Sequence, residues 1–251
     1  YKQEGNVMEA VTVLWREYLF FKRRIGRITS SAIMSPVLYL IAFGWGFGKD
    51  VVVEGATYMH FLIPGLIAMT TMNTGFNAVS SRIITSKLFE RSFEYYLTSP
   101  ISMPLMSFGY ILSGALRGIY ASFLIILVSL LFGVIIKINF YFLIVCFLNS
   151  FLFSALGYAA ALSIESHYDM GRFNTYIMTP MSFLCGTFFS LENLPSAVKS
   201  IIGILPLSHA SASLRSIALK GSFSYSSIIV LAVYAVLLYI IGIYMSYKEM
   251  K

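Results

Sequence analysis

Charge is what this sequence has least of. Only 12% of its 251 residues are Asp, Glu, Lys or Arg, against about 25% in an average soluble chain. A chain that is 58% hydrophobic, with a mean hydropathy of +0.78, cannot cover a globular surface with charge, so most of its exterior faces a lipid bilayer. Acids are scarcer than bases, 11 against 18. The basic residues gather in a few segments between long apolar runs, as cytoplasmic loops do, and no RNA- or DNA-binding motif accompanies them, which removes nucleic acid as a partner.

Chemistry-bearing residues are equally sparse. The two cysteines, Cys146 and Cys185, each lie inside an apolar stretch, which excludes a disulfide framework and a CxxC metal pair. His60, His167 and His209 fall in different segments and share no metal ion. The nearest approach to a phosphate loop, Gly44-Trp45-Gly46-Phe47-Gly48-Lys49-Asp50, lacks the four-residue spacer and has Asp50 where magnesium needs a hydroxyl. Ser196 and Lys199 have SxxK spacing without its partner motifs, and neither GxSxG nor HExxH occurs. The spans carry no interior carboxylate, which argues against a proton- or sodium-coupled carrier. Energy for any transport comes from elsewhere.

What is present reads as an all-α polytopic membrane protein, a single transmembrane domain over 1–251. Residues 1–27 are expected to form an amphipathic interfacial helix: Val7, Val11, Leu14, Tyr18, Phe21 and Ile25 recur at three- and four-residue steps, with Arg16, Glu17, Lys22, Arg23, Arg24 and Arg27 as the polar part. Six spans are predicted, at about 28–47 with a kink at Pro36, 58–80, 117–136, 140–164, 173–189 and 228–247. Arg117 is the one charge inside an apolar run and reads as a snorkelling residue at the inner boundary. Segment 81–103 holds a charged loop ending at Pro100 and Pro104. Segment 191–226 is apolar but broken by Pro195, Gly203, Pro206 and Gly221, so two short re-entrant or interfacial helices are expected at about 195–204 and 207–219.

Six spans put both termini on one side. With that side inside, it carries Lys2, Arg16, Lys22, Arg23, Arg24, Arg27, Arg82, Lys87, Arg91, Arg172, Lys248 and Lys251, against Lys49, Lys137, Lys199, Arg215 and Lys220 outside. The positive-inside rule selects cytoplasmic termini in an inner or plasma membrane.

Three ordered stretches carry a family resemblance: Tyr58-Met-His-Phe-Leu-Ile-Pro64-Gly-Leu66; Phe93-Glu-Tyr-Tyr-Leu-Thr-Ser-Pro100-Ile-Ser102; and Leu194-Pro195 followed by Leu205-Pro-Leu-Ser-His209 and Leu214-Arg215. Together with Ala115-Leu-Arg-Gly118 they resemble the type 2 ABC exporter permeases, in the daunorubicin-resistance and nodulation lipo-oligosaccharide branch. The resemblance implies an amphipathic N-terminal helix, six spans, a coupling helix in the first cytoplasmic loop and re-entrant helices before the last span. It also implies a homodimer or heterodimer of permease subunits in the bilayer, each with a separate ABC ATPase. ATP and magnesium then belong to the partner, and this chain binds no cofactor. One departure is that Phe188-Phe189 is followed by Ser190-Leu191-Glu192 where the pattern often has Pro.

The expected function is therefore a non-enzymatic permease subunit moving a lipid-like, glycolipid or amphipathic drug-like molecule outward. The alternatives are an ATP-independent channel or scaffold and, behind it, a polytopic lipid-modifying enzyme. Leu88, Glu90, Arg91, Phe93, Glu94, Tyr95 and Leu97 are the expected ATPase-coupling residues, because aromatic and charged groups together on about three helical turns suit a contact surface. Lying in the headgroup layer is the competing reading for those aromatics. Met178, Met181, Phe183, Phe188 and Phe189 are the expected substrate path, and Pro195, Pro206, His209 and Arg215 mark the re-entrant segment.

Overall fold

The computed structural model describes residues 2–46, 51–88, 102–191, 194–222 and 224–249. Among these, helices account for nearly everything. The first, α1 (Lys2–Tyr39), runs on through a widened π turn at Leu40–Trp45. Its backbone leaves helical geometry at Arg24 (φ −119°, ψ 15°). The bend expected at Pro36 thus lies twelve residues earlier, near the junction of the basic segment with the apolar one, and the π turn follows Pro36, whose ring removes a backbone bond. A two-residue hairpin not foreseen in the sequence, β1 (Val52–Val53) and β2 (Ala56–Thr57), comes next. It turns through Glu54 and Gly55, both at positive φ.

Helix α2 (Tyr58–Leu88) continues well past the expected span end at 80. Helix α3 (Met103–Leu131) is continuous through Arg117, where the sequence suggested a boundary. Helix α4 (Phe140–Ser163) starts at Asn139, whose side chain accepts the Phe142 amide at 2.9 Å. The next run is α5 (His167–Phe173), a π turn at Asn174–Met178 and α6 (Thr179–Leu184). Pro180 sits just beyond that turn and accounts for the break. The two short helices expected near 195–204 and 207–219 are α7 (Ser196–Ile204) and α8 (Pro206–Arg215), the latter prolonged to Lys220 and stopped by Gly221 at φ 68°. Pro206 occupies the first position of α8, where its missing N–H costs nothing. Helix α9 (Tyr225–Glu249) completes the described chain.

Four helical stretches among the described residues are long and apolar enough to cross a membrane: Thr12–Gly44, α3, α4 and α9. A fifth is possible if α7 and the α8 run, bent at 97°, count as one. The chain is therefore a multi-pass membrane protein. Helix α2 is long enough, at 31 residues, but Thr70, Thr71, Asn73, Thr74, Asn77, Ser80 and Ser81 lower its hydropathy.

The core is the packing of α2 and α4, flanked by α3 and α9. Backbones approach closely here, as small residues allow at membrane helix interfaces. A Cβ placed on Gly157 would lie 2.6 Å from the Phe76 carbonyl oxygen, so these helices could not keep their separation with any larger residue. Asn149, fully buried, donates to the Ala68 carbonyl at 2.9 Å and to Thr71 Oγ1 at 2.8 Å, fixing the register of α4 on α2. Helix α9 instead presents Val233, Val236, Leu237, Ile240 and Ile241 outward, a face suited to lipid.

Candidate functional site

Helix α1 lies chiefly on α3 and scarcely touches α2. The gap left between α1 and α2 is a cleft of about 530 Å³. One wall is a stripe of α2, where Thr70, Asn73, Thr74, Asn77, Ser81 and Thr85 fall at three- and four-residue steps on one helical face. The facing wall of α1 offers Ile28, Ser31, Ala32, Ser35 and Pro36. Six hydroxyl and amide side chains in line would be expensive against lipid, so the stripe marks a surface that meets water or a polar ligand. Asn77 donates to the Asn73 carbonyl at 2.9 Å and Thr85 to the Ser81 carbonyl at 2.7 Å. Asn174, between α5 and α6, donates to Asn77 Oδ1 at 3.4 Å, bringing the broken α5–α6 run to the same edge. The sequence carried this signal, since the spacing of Thr70 to Thr85 is regular, but reading 58–80 only for apolar length passed over it.

One end of the cleft is basic. Arg24, Arg27, Arg82 and Arg117 line it. Glu17, 2% exposed, organises two of them: Arg82 Nε donates to its Oε1 at 3.0 Å and Arg117 Nη2 to its Oε2 at 2.8 Å. Arg16 also pairs with this carboxylate, at 3.5 Å, and donates to the Tyr110 hydroxyl. Arg117, 8% exposed, is thus a buried ion-pair partner of α1 and not a residue snorkelling to the boundary. The face of α1 turned to the protein carries Val13 and Glu17, while Trp15, Tyr18, Leu19 and Ile25 remain exposed. A second, largely apolar cavity of about 350 Å³, lined by Trp15, Tyr18 and Phe21 and sharing Arg117, lies between α1 and α3.

Of the five residues expected to form a substrate path, Phe183 and Phe188 pack ring against ring. Met178 and Met181 are buried in the core, and none of the five lines the cleft. Phe188 joins an aromatic cluster with Tyr39, Phe43 and Phe183, its ring 5.0 to 5.3 Å from each. Phe183 and Phe189 are 43% and 37% exposed. Tyr58 donates to the Phe188 carbonyl at 2.9 Å, so this cluster ties the C-terminal end of α1 to the start of α2.

Pro195 and Pro206 sit at the starts of α7 and α8, and His209 Nε2 lies 2.8 Å from the Gly203 carbonyl oxygen across their junction. Arg215, 6% exposed, reaches further. It donates to the Gly186 carbonyl at 2.7 Å and to the Phe61 carbonyl at 3.3 Å, with its guanidinium 3.6 Å from the Phe61 ring centroid. One side chain therefore fastens α8 to α2 and to the end of α6. Arg215→Ala is expected to destabilise the protein by ~1.5–3 kcal/mol, the range for a charged hydrogen bond lost with its acceptors left buried. The thermal midpoint in detergent checks this.

Of the expected coupling residues, Leu88 is exposed at the end of α2. Glu90, Arg91, Phe93, Glu94, Tyr95 and Leu97 lie outside the described residues. Just before them, Lys87 Nζ bonds the Leu162 carbonyl at 3.0 Å and Glu249 Oε1 at 2.8 Å. Glu17 with Arg82 and Glu249 with Lys87 bring both ends of the chain to the same end of α2. Among the described residues no cluster of His, Cys, Asp or Glu could hold a metal.

Comparison with known proteins agrees with this architecture. Over 204 residues, 79% of this chain and 78% of the relative, it is 28% identical to the inner membrane transport permease YadH of Escherichia coli K12. It is 25% identical over 235 residues to nodulation protein J of Bradyrhizobium diazoefficiens, covering 90% of this chain and 88% of that one. With the daunorubicin resistance ABC transporter permease protein DrrB1 of Streptomyces coeruleorubidus it shares 24% over 221 residues, 83% of this chain and 74% of the other. The model of the ABC-2 type transporter family matches residues 8–219, and the chain belongs to that family as a membrane permease subunit of an ABC transporter.

Proposed function

We propose that this permease subunit exports an amphipathic molecule of lipid, glycolipid or drug-like character, drawing energy from ATP hydrolysed by a separate partner. The observation that carries this reading is the polar stripe of α2 facing α1 across an open cleft. A molecule with one polar and one apolar part fits a groove that is hydroxyl- and amide-lined on one wall and open beside lipid. On this reading all six expected elements cross the bilayer, α2 and the 167–184 run included, because their polar faces turn to the cleft and to each other. The α7–α8 bend, at 97°, would be the extracytoplasmic re-entrant element. Two subunits would pair around the path, and residues 88–97 would dock on the ATPase, transmitting its closure through α2.

Orientation follows from the basic residues. Single cysteines replacing Lys199 or Lys220 in a background lacking Cys146 and Cys185 are expected to react with an impermeant maleimide added to intact cells, and one replacing Arg172 is not. The reverse pattern would place the arginine end of the cleft outside and remove the export reading. The transport reading itself is tested by co-expression with an ABC ATPase. A complex that survives purification and hydrolyses ATP supports it, and a chain that never retains an ATPase counts against it.

A further inference from the structure

Away from its arginines, the cleft between α1 and α2 ends at Ser35 and Pro36 on one helix and at Met69 and Thr70 on the other. One turn further along each helix, the gap is crossed by the non-helical chain that follows α6. On α1 that turn carries Tyr39, whose ring lies 5.0 Å from the Phe188 ring. On α2 it carries Gly65, where an added Cβ would stand 2.7 Å from the Thr187 carbonyl oxygen, so the backbone of Thr187 lies directly on the helix. Residues 186–190 therefore form a bar across this end of the cleft.

Hydrogen bonds hold the bar at three points. Arg215 donates to the Gly186 carbonyl at 2.7 Å, Tyr58 to the Phe188 carbonyl at 2.9 Å, and Ser190 Oγ to Glu54 Oε1 at 2.5 Å. Arg215 and Tyr58 are buried, so undoing either bond strands polar groups away from water. Glu54 is exposed, at the tip of the β1–β2 hairpin. Water can take the place of Ser190 on its carboxylate at small cost, and of the three anchors this one is the most readily undone.

The backbone at Glu54 shows that the turn itself does not call for this residue. Pairing of Val53 with Ala56 leaves Glu54 and Gly55 as a two-residue loop, at φ 51° and 77°. Positive φ at both positions is the type I′ turn, in which Asn, Asp or Gly ordinarily stands first. Glu is held in a conformation it does not favour while its carboxylate bonds a serine 136 residues away.

We propose that Glu54 is a releasable latch: through it the hairpin straps residues 186–190 over the end of the α1–α2 cleft, and letting go of Ser190 frees the bar to move aside. That cargo passes this end rests on the permease reading. The latch itself does not.

The test follows Thr187, which is fully buried and whose hydroxyl has no hydrogen-bond partner, so that Cys in its place breaks no bond. Thr187→Cys is made in the full chain lacking Cys146 and Cys185, purified in dodecyl maltoside, and its rate of reaction with N-ethylmaleimide is measured. Adding Glu54→Asn is expected to raise that rate at least fivefold with the thermal midpoint unchanged or higher, because Asn suits the turn but is shorter and uncharged. Glu54→Gln keeps an acceptor at the same reach and should give a smaller rise. Glu54→Asn together with Ser190→Ala should be no faster than Ser190→Ala alone, since the two changes break one contact. In a chain whose one cysteine is Cys146, buried in the helix core, Glu54→Asn should leave the reaction within twofold. A rate at position 187 that is unchanged or slower in Glu54→Asn would show that Glu54 serves the turn alone and overturn the proposal. Additive effects of the two changes, or an equal rise at Cys146, would overturn it as well. These rates need neither ATPase nor cargo, so a chain that never retains an ATPase would sink the transport reading and leave the latch standing.

Discussion

Replacing Glu17 with Gln is expected to cost the folded protein ~3–5 kcal/mol, the range for removing one partner of a buried ion pair. Glu17 pairs with both Arg82 and Arg117, and both bonds are short, 3.0 and 2.8 Å. With an amide in its place, the buried Arg117 guanidinium loses its ion pair, and α1 loses its charged link to α2 and α3. The amide can still accept one hydrogen bond, so Glu17→Ala should be worse. A lower thermal midpoint in detergent and a smaller monodisperse fraction are the readouts. Adding Arg117→Met to Glu17→Gln should recover at least ~1 kcal/mol, because the second change removes the orphaned charge and the two sites are coupled through direct contact. A Glu17→Gln protein as stable as the parent would show that solvent or headgroups already carry those charges.

The second large effect concerns force transmission. Glu94→Lys is expected to abolish transport and cargo-stimulated ATP hydrolysis in the reconstituted complex, while insertion and pairing of the permease stay normal. Glu94 stands between Phe93 and Tyr95 in a run with Arg91 three residues before it, so on the proposed docking of this run reversing its charge alters the contact surface and no span. Lys87, seven residues upstream, ties α2 to the ends of α4 and α9. A push delivered just beyond it would therefore reach three helices at once. Normal coupled turnover in both Glu94→Lys and Phe93→Ala would mean that another segment carries the coupling.

Much of the helix pattern was legible in the sequence, and for identifiable reasons. Pro195, Pro206 and Gly221 end or start helices by backbone geometry that any context preserves, so α7 and α8 fall close to where they were expected. Asn139 and Ile164 bracket α4 just as composition suggests. The Glu17 cluster was harder to read. Glu17 lies 65 residues from Arg82 and 100 from Arg117, and a local reading assigns each the ordinary role of a surface charge or a boundary charge. Only tertiary packing makes them one cluster. The α2 stripe was visible as a periodicity, but a polar face on a helix does not say which neighbour it meets. For the expected path, residue type and nearness to prolines do not distinguish packing from lining: Phe188 joins a cluster with α1, Met178 and Met181 are buried, and Phe183 and Phe189 stay partly exposed.

The account depends on the α1–α2 cleft carrying cargo, and one measurement bears on that most directly. The permease with Asn77→Cys, free of Cys146 and Cys185, is reconstituted with its ATPase in proteoliposomes, and ATP-driven transport is compared before and after complete reaction with a bulky maleimide. Val236→Cys on the outward face of α9 is treated in the same way. Modification at Asn77 is expected to reduce transport at least tenfold, with the protein still assembled, and modification at Val236 to leave it within twofold. Full transport after complete modification at Asn77 would contradict the account.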